Sequence, residues 1–325
     1  MRVLVTGATS RLGRGVVAGL LARGDDVTVL QRGPAEIDGV TEVRADLGDN
    51  SAVRKAVAGA EGVIHLAAKV GISGPHNDFV RINVAGTQSL LIAAHAAGVT
   101  KFVQVSSPSV AHAGSALVGV GAQPADPEGA RGSYARTKAS AELAALAANA
   151  PGFAVVAIRP HLVWGPGDAQ LVGRIVERAA TGRLALVGAG TALIDTTYVD
   201  NAATALMAAL DRAPAIGGRA FVVSNGEPRP VAELVERICA AAGAPAPVRH
   251  VPRRLATTIG AAVGTAWSWS RRTDEPPLTR FLAEQLGTAH WFDQRETRRE
   301  LEWAPHVSLD EGFRRLAESY RVKNA

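Results

Sequence analysis

VLVTGATSRLG, residues 3–13, lies near the start of the chain and decides its fold. Val3–Thr6 has the apolar composition of a buried strand, and a helical pattern follows at Leu12–Arg23. Glycines between a first strand and a first helix permit a tight turn and let the backbone approach a pyrophosphate, which the helix N-terminus attracts. The stretch therefore predicts a dinucleotide site in an α/β chain, although an ordinary strand-to-helix turn would also fit these residues.

Short apolar strands alternate with amphipathic helices through the first 160 residues. The predicted strands are Val3–Thr6, Val27–Leu30, Glu42–Ala45, Val63–Leu66, Phe102–Ser106 and Ala154–Arg159. The predicted helices are Leu12–Arg23, Ser51–Ala58, Asp78–Ala97 and Ser133–Asn149. Because each parallel pairing needs a crossover that can hold a helix, this alternation predicts an α/β fold of the Rossmann type, a doubly wound parallel sheet covered on both faces.

After residue 160 the pattern loosens, and glycine and proline separate shorter elements. Helices are predicted at Gln170–Thr181, Asn201–Leu210, Val231–Ala242, Pro277–Leu286 and Leu309–Ser319, and strands at Ala185–Val187 and Ala220–Ser224. We expect residues 1–160 to form the cofactor-binding domain. Residues 161–325 would form mainly a smaller α/β substrate-binding region, with some segments returning to the Rossmann sheet.

The composition of the 325 residues is that of a soluble globular protein, with 47% hydrophobic and 20% charged residues. The formal charge of +5 is thinly spread, and basic residues are not interleaved with aromatic ones, so we expect no nucleic-acid partner. A lone Cys239 excludes an internal disulfide and a multi-cysteine metal site, and no other residues have metal-ligand spacing. We expect no metal, no membrane span and a cytoplasmic location, since no signal peptide precedes the first strand.

The end of the second predicted strand bears on the choice of cofactor. A carboxylate commonly binds the adenosine ribose there, but this sequence has Gln31 and Arg32. A guanidinium binds a 2′-phosphate through paired donors, whereas a carboxylate repels it. Arg32, helped by Arg11 or Arg14, therefore favours NADP(H) over NAD(H), the alternative being an ordinary surface arginine.

Tyr134 and Lys138 are the candidate catalytic pair. Four residues apart on a predicted helix, they share one face, a turn apart. A tyrosine needs a nearby cation to exchange protons at neutral pH, and Lys138 would supply it while binding the nicotinamide ribose. Tyr134 would then protonate a ketone oxygen as hydride arrives. Such a pair also occurs by chance on exposed helices, but Ser107 ends the fifth strand at the sheet edge where ligands bind.

These segments resemble the extended short-chain dehydrogenase/reductases of the NAD-dependent epimerase/dehydratase family over nearly the whole chain. The fingerprint of that family is Thr-Gly-x-x-Gly-x-x-Gly, from which Ser10 departs at the middle glycine. A hydroxymethyl group there narrows the approach to the pyrophosphate, although its oxygen would be able to donate to a phosphate. With Arg32 included, the predicted cofactor-binding residues are Gly7, Thr9, Ser10, Arg11, Leu12, Gly13, Arg32, Asp46, Leu47, Ala67, Ala68, Lys138 and Pro160.

The same resemblance implies the catalytic set. The stretch SSPSV, residues 106–110, makes Ser107 the catalytic serine that binds the substrate oxygen beside Tyr134. Asn83, in the motif Asn-x-x-Gly-Thr, braces the active site in this family. Ser109, His161 and Leu162 are candidate substrate contacts, with a histidine hydrogen-bonded within the cleft wall as the alternative for His161.

Motifs in the second half indicate a branch of the family. DTTYVDN, residues 195–201, is similar to a motif of the 3β-hydroxysteroid dehydrogenases. SNGEP, residues 224–228, and EPPLTRF, residues 275–281, look like those of bacterial 2-alkyl-3-oxoalkanoate reductases. The resemblance implies NADP(H)-dependent reduction of a 2-alkyl-3-oxoalkanoate, with a 3β-hydroxysteroid dehydrogenase as the alternative. A non-catalytic NADP sensor or scaffold is the alternative of another class.

The uncharged apolar stretch Leu255–Trp269 bears on substrate and partners. It is open to three interpretations: a packed helix, an apolar lid over a lipid-like substrate, or a weak peripheral contact with a membrane. A hydrophobic small-molecule substrate would suit the lid. By resemblance alone, a homodimer is expected through a four-helix bundle of Asp78–Ala97 and Ser133–Asn149.

Overall fold

The structure is a computed structural model that describes residues 1–71, 74–112, 114–247, 249–269, 284 and 287–324. Its strands are β1 (Arg2–Thr6), β2 (Asp26–Gln31), β3 (Val40–Arg44), β4 (Gly62–His65), β5 (Lys101–Val105), β6 (Leu117–Val120), β7 (Ala154–Pro160), β8 (Val163–Trp164), β9 (Ala185–Val187), β10 (Leu193–Ile194), β11 (Thr197–Tyr198), β12 (Ala220–Val223), β13 (Arg229–Pro230), β14 (Arg249–Val251) and β15 (His290–Phe292).

The described α-helices lie between and after these strands. They are α1 (Arg11–Ala22), α2 (Asn50–Val57), α3 (His76–Phe79), α4 (Gly86–Ala96), α5 (Gly132–Ala147), α6 (Val172–Ala180), α7 (Val199–Ile216), α8 (Val231–Ala242), α9 (Arg253–Trp269), α10 (Arg295–Leu301) and α11 (Leu309–Asn324). The predicted helix Pro277–Leu286 lies, apart from Glu284, outside the described residues, as does the motif at residues 275–281.

Seven parallel strands form the main sheet in the order β12-β7-β5-β4-β1-β2-β3. The chain starts at β1 in the middle, moves outward through β2 and β3, and returns to β4 on the other side of β1. This reversal of direction leaves a crevice at the carboxyl ends of β1 and β4, where ligands bind in such sheets. The predicted doubly wound Rossmann fold is confirmed.

Apolar side chains cover both faces of this sheet. On one face, Val16 and Leu20 of α1 pack with Leu206 and Leu210 of α7 in a fully buried cluster. The other face is covered by residues of α2 and α4, including Leu90. Because α7 and β12 come from the second half of the chain, part of that half belongs to the Rossmann body.

The predicted helix Asp78–Ala97 is divided into three pieces. Between α3 and α4 the backbone forms a π-helical turn at Val80–Ala85. Turns of this kind occur often at functional sites because they displace one residue from the regular helical register. Here the turn contains Asn83, which is 1% exposed.

A four-stranded sheet in the order β13-β10-β15-β6 lies apart from the main sheet. Strand β6 comes from the first half of the chain and pairs with β15, which begins at residue 290. The sequence analysis missed β6, β10, β13 and β15, since strands of two to four residues show no periodicity. The predicted strand at Ala220–Ser224 is present as β12, in the main sheet.

Helix α9 contains the apolar stretch Leu255–Trp269. In its first turns Ala256 is buried, whereas Leu255 and Ile259 are 50% and 42% exposed. These two side chains are therefore not packed as in a core helix, which leaves the lid and the peripheral contact as interpretations of this part. Among the described residues, no helix combines the length and apolar character required to cross a bilayer.

Candidate active site

A cleft of about 990 Å³ opens at the carboxyl edge of the main sheet. The structure brings most of the predicted site residues together in its walls. Those lining it are Gly7, Thr9, Ser10, Arg11, Leu12, Arg32, Asp46, Leu47, Ala67, Ala68, Ser107, Tyr134, Lys138, Pro160 and Leu162. Gly13, Asn83, Ser109 and His161 are not among the residues that line the cleft.

The turn after β1 is built so that only glycine fits at two positions. Gly7 has a φ of +71°, and a Cβ there would lie 2.8 Å from the backbone nitrogen of Ala67. A Cβ on Gly13 would lie 2.3 Å from the carbonyl oxygen of Gly7. The strand, the turn and the helix therefore pack backbone against backbone, which leaves the turn open on its cleft side. This geometry fits the pyrophosphate of a dinucleotide.

Ser10, the departure from the family fingerprint, caps helix α1. Its Oγ accepts a hydrogen bond of 3.0 Å from the Gly13 N–H and donates one of 2.9 Å to the Gly7 carbonyl. A serine at this position satisfies a helix N–H that would otherwise lack a partner within the helix. The hydroxyl proton is thus already used inside the turn, so the expected donation to a phosphate would require it to turn away from Gly7.

Two of the three arginines considered for the adenosine phosphate line the cleft. Arg11 and Arg32 lie in its wall. Arg14 instead donates to the carbonyls of Ala35 and Glu36 at 3.3 and 3.4 Å, on the loop beyond β2. Gln31 Nε2 donates to the Gly33 carbonyl at 3.0 Å and so supports the loop that carries Arg32.

A chain of hydroxyl groups runs from Tyr134 into the cleft wall. The Ser107 side chain lies close enough to the Tyr134 phenol to lower its pKa, and Ser109 Oγ donates to Ser107 Oγ at 3.0 Å. Burial raises the pKa of Tyr134, so the phenol is protonated at neutral pH. Tyr134 and Ser107 therefore present two hydroxyl groups to the same point, as one carbonyl oxygen would require.

Lys138 lies beneath this pair, on the next turn of α5. Its Nζ donates to the Val105 carbonyl at the end of β5. Burial lowers the pKa of Lys138 to about 8, and the carboxylate of Glu142 opposes that shift. Lys138 thus contacts the strand that Ser107 follows, and the charge of Glu142 favours its ammonium form.

Glu142 and Arg159 form a buried ion pair that the sequence analysis missed. Arg159 Nε and a terminal nitrogen lie 2.9 and 2.5 Å from the two Glu142 oxygens, and its other terminal nitrogen donates to the Gln123 carbonyl at 2.7 Å. The side chains are 2% and 1% exposed. Two signals were present in the sequence: the spacing of four residues from Lys138 to Glu142, and an arginine inside an apolar strand.

Asn83 joins the segment after β4 to the catalytic helix. Its Oδ1 accepts from the Lys69 N–H at 2.7 Å, and its Nδ2 donates to the Lys69 carbonyl and to Thr137 Oγ1, both at 3.1 Å. His65 makes a second link, with 2.6 Å to Thr6 Oγ1 and 3.0 Å to Thr87 Oγ1. Burial lowers the pKa of His65 to about 3, so this ring is a neutral structural group.

The candidate substrate contacts separate into two kinds. Leu162 lines the cleft, with a φ of +41°. His161 is buried, its ring 5.0 Å from that of Phe292, and burial lowers its pKa to about 3. His161 thus fits the alternative of a neutral histidine within the wall. No group of three potential metal ligands is found in the described part of the chain.

The model of the NAD dependent epimerase/dehydratase family matches residues 3–224, which hold the glycine turn and the Tyr134–Lys138 helix. The chain belongs to this family. The membership predicted from the fingerprint is confirmed.

Curated relatives of this family member match over its whole length. It is 45% identical, over 98% of its own length and 99% of the relative's, to a 2-alkyl-3-oxoalkanoate reductase of Stenotrophomonas maltophilia. The human sterol-4-alpha-carboxylate 3-dehydrogenase (decarboxylating) is 31% identical over 98% of this chain and 88% of its own. The oxidoreductase class is confirmed.

Solved structures of similar fold include MoeE5 in complex with UDP-glucose and NAD. Its TM-score is 0.76 at 25% identity, and the match covers 100% of both chains. A nicotinamide cofactor is therefore bound by a protein of the same fold, in agreement with the glycine turn of this family member.

Proposed function

We infer that this protein is an NADP(H)-dependent oxidoreductase that reduces the ketone of a 2-alkyl-3-oxoalkanoate to a secondary alcohol. The observation that carries the reaction type is that Tyr134 and Ser107, whose side chains interact, line the same cleft wall as the buried Lys138. The substrate class is supported by the 45% identity to the Stenotrophomonas maltophilia reductase over 98% of the chain.

The roles of the three residues follow from their contacts. A nicotinamide, when bound, supplies the hydride in the direction of reduction. The Ser107 hydroxyl holds the ketone oxygen, and Tyr134 gives that oxygen its proton as negative charge develops on it. The ammonium of Lys138 stabilises the phenolate left behind and binds the nicotinamide ribose. Asn83, from behind the wall, keeps the Lys69 segment and the catalytic helix in register.

The preference for NADP(H) over NAD(H) rests on Arg32 and Arg11. Both line the cleft, Arg32 directly after β2 and Arg11 at the start of α1, and neither Gln31 nor Arg32 at the end of β2 is a carboxylate. Paired guanidinium donors fit a 2′-phosphate. Asp46 Oδ1 accepts a hydrogen bond of 2.9 Å from the Gly48 N–H in the loop after β3. Asp46 and the neighbouring Leu47 are proposed to contact the adenine.

The apolar part of the cleft suits a hydrophobic small molecule. Val70, Ile82, Leu162, Val163 and Leu171 line it. Helix α9 with its exposed Leu255 and Ile259 is proposed as a lid or a weak peripheral membrane contact. We further propose a homodimer in the cytoplasm, formed through α4 and α5, on which Ile92 and Leu143 are 72% and 43% exposed.

The proposed function is tested by following NADPH oxidation with a 2-alkyl-3-oxo acid, a 3-keto steroid and a UDP-sugar, each repeated with NADH. Turnover of the keto acid with NADPH preferred is the expected result. Steroid turnover with NADH preferred would contradict both the substrate class and the role of Arg32. Binding of NADPH without any turnover would favour a non-catalytic sensor, and Tyr134→Phe would then leave ligand binding and its downstream effect unchanged.

A further inference from the structure

We propose that Lys69 binds the carboxylate of the substrate and so selects 3-oxo acids over neutral ketones. This assignment rests on the proposed function, because it concerns the acid group that distinguishes the proposed substrate from other ketones. It is carried by the position of Lys69 at the cleft, by the way its backbone is held, and by the weakness of its present ion pair.

The sheet register places Lys69 and Ser107 at the same edge of the main sheet. Strands β4 and β5 are parallel neighbours in which His65 pairs with Gln104. Lys69 follows four residues after His65, and Ser107 follows three residues after Gln104, so both leave adjacent strands at the same edge of the sheet. Both residues line the cleft.

The other cations of the cleft divide by position. Arg11 and Arg32 lie at the ends of β1 and β2, on the side proposed for the cofactor phosphates. Lys138 is buried and donates to the Val105 carbonyl. Lys69 and Arg174 are the cations that remain on the substrate side among the described lining residues. A carboxylate two bonds from the reacting ketone carbon must lie near Ser107 and Tyr134, which favours Lys69 over Arg174 on helix α6.

Asn83 fixes the backbone of Lys69 relative to the reacting groups. It binds both the N–H and the carbonyl of Lys69, and the same Nδ2 donates to Thr137, the residue before Lys138. One buried side chain thus ties Lys69 to the helix that carries Tyr134. A cation anchored in this way presents its charge with little loss of backbone freedom on binding.

The ammonium of Lys69 has only a loose partner in the described structure around it. It lies 3.7 Å from Asp78 Oδ2, a carboxylate whose side chain is 44% exposed, and 5.1 Å from the centre of the Phe79 ring. Exposed ion pairs of this length contribute little, so exchange of Asp78 for a substrate carboxylate costs little. The Phe79 ring beside the ammonium is itself 1% exposed.

The test compares a 2-alkyl-3-oxo acid with its methyl ester, which keeps the ketone and loses the charge. Unmodified protein, Lys69→Met and Arg174→Met are assayed with NADPH, and NADPH binding is measured by fluorescence to show an intact site. We expect Lys69→Met to raise KM for the acid roughly 10- to 100-fold while KM for the ester and NADPH affinity stay within about threefold. Arg174→Met should keep the preference for the acid over its methyl ester unchanged.

Three outcomes would overturn the assignment, and they differ in whether the proposed function is overturned with it. Equal KM for the acid in unmodified protein and Lys69→Met, with turnover intact, would overturn the role of Lys69 alone. Loss of the acid preference in Arg174→Met instead would transfer the role to that residue. Absence of turnover of the acid by the unmodified protein would overturn the proposed function, and the assignment of Lys69 with it.

Discussion

The main sheet and the four-stranded sheet differ in how the chain builds them. In the main sheet, strands of four to seven residues pair in parallel, and every connection between them except that from β2 to β3 contains a helix. In the other sheet, strands of two to four residues come from positions as far apart as β6 at 117 and β15 at 290. The main sheet and the helices packed on it hold the three groups that need a fixed geometry: Ser107, Tyr134 and Lys138.

This difference explains which of the two sheets carries the cleft. Hydroxyl groups at the end of a buried strand and on a helix packed against it keep their spacing, because any displacement would disturb a densely packed core. The short strands of the other sheet depend on pairing between distant segments, and no residue of β6, β10, β13 or β15 lines the cleft. The four predictions below test this division, in order of decreasing effect.

The largest effect is expected for the phenol on the catalytic helix. Tyr134→Phe removes the proton donor, so kcat should fall by roughly 10²- to 10⁴-fold while NADPH affinity is kept. The matched control is Tyr198→Phe, a buried tyrosine at the end of β11 in the second half, whose ring packs against Trp164 at 5.6 Å. Steady-state kinetics measure kcat for both variants. A similar loss of kcat in Tyr198→Phe would contradict the special role of the tyrosine on α5.

The second prediction concerns the buried pair that supports Lys138. Arg159→Met leaves the Glu142 carboxylate buried without its partner and should lower the free energy of unfolding at pH 7 by about 3–5 kcal/mol. The control is Arg314→Met on α11, which removes an exposed pair with Glu311 and should cost less than about 1 kcal/mol. Urea unfolding measures the free energy of unfolding of both variants. Equal losses in the two would show that the buried pair contributes no more to stability than the exposed one.

The strands of the main sheet were predictable because their pattern is long and regular. The six strands predicted in the first 160 residues lie within two residues of β1–β5 and β7. The glycine turn, Ser107 and the Tyr134–Lys138 pair were also predicted as site residues from the sequence, since each is a local motif with a fixed spacing, and all of them line one cleft. Their convergence on one cleft follows from the topology, because the carboxyl ends of parallel strands meet at one edge.

What the sequence did not predict depends on contacts between distant residues. Strand β6 is four residues long and exists only because β15 pairs with it. The Glu142–Arg159 pair joins a helix to a strand, and neither residue alone indicates the other. The π-helical turn that contains Asn83 interrupts the segment Asp78–Ala97, whose sequence pattern predicts one continuous helix. The burial of His161 depends on Phe292, far along the chain.

The third prediction separates two arginines on the cofactor side. Arg32→Ser should raise KM for NADPH roughly 10- to 100-fold and leave KM for NADH within a few-fold, because only NADPH carries the 2′-phosphate. Arg14→Ser is the control, since Arg14 is bound to the Ala35 and Glu36 carbonyls. A larger change in the ratio of KM for NADPH to KM for NADH in Arg14→Ser than in Arg32→Ser would contradict the assignment of Arg32 to the 2′-phosphate.

The smallest expected effect is a change in pH dependence. Burial lowers the pKa of Lys138 to about 8 in the free enzyme, so the ammonium is lost as the pH rises through 8. The pKa of Tyr134 is raised by burial, which keeps the titration of the phenol out of this range. The kcat/KM for keto-acid reduction should therefore be level near neutral pH and fall above about pH 8.

Glu142→Gln sharpens this prediction because the charge of Glu142 opposes the loss of the proton from Lys138. Without that charge the pKa of Lys138 falls further, and the decline in kcat/KM should move to lower pH. Glu236→Gln, at an exposed position on α8, should leave the profile unchanged. Since a merely structural role for Glu142 would lower activity at every pH without moving the decline, an unshifted profile in Glu142→Gln would reject the electrostatic role. A shift confined to that variant would show that the buried pair in the main sheet sets the charge of the catalytic lysine.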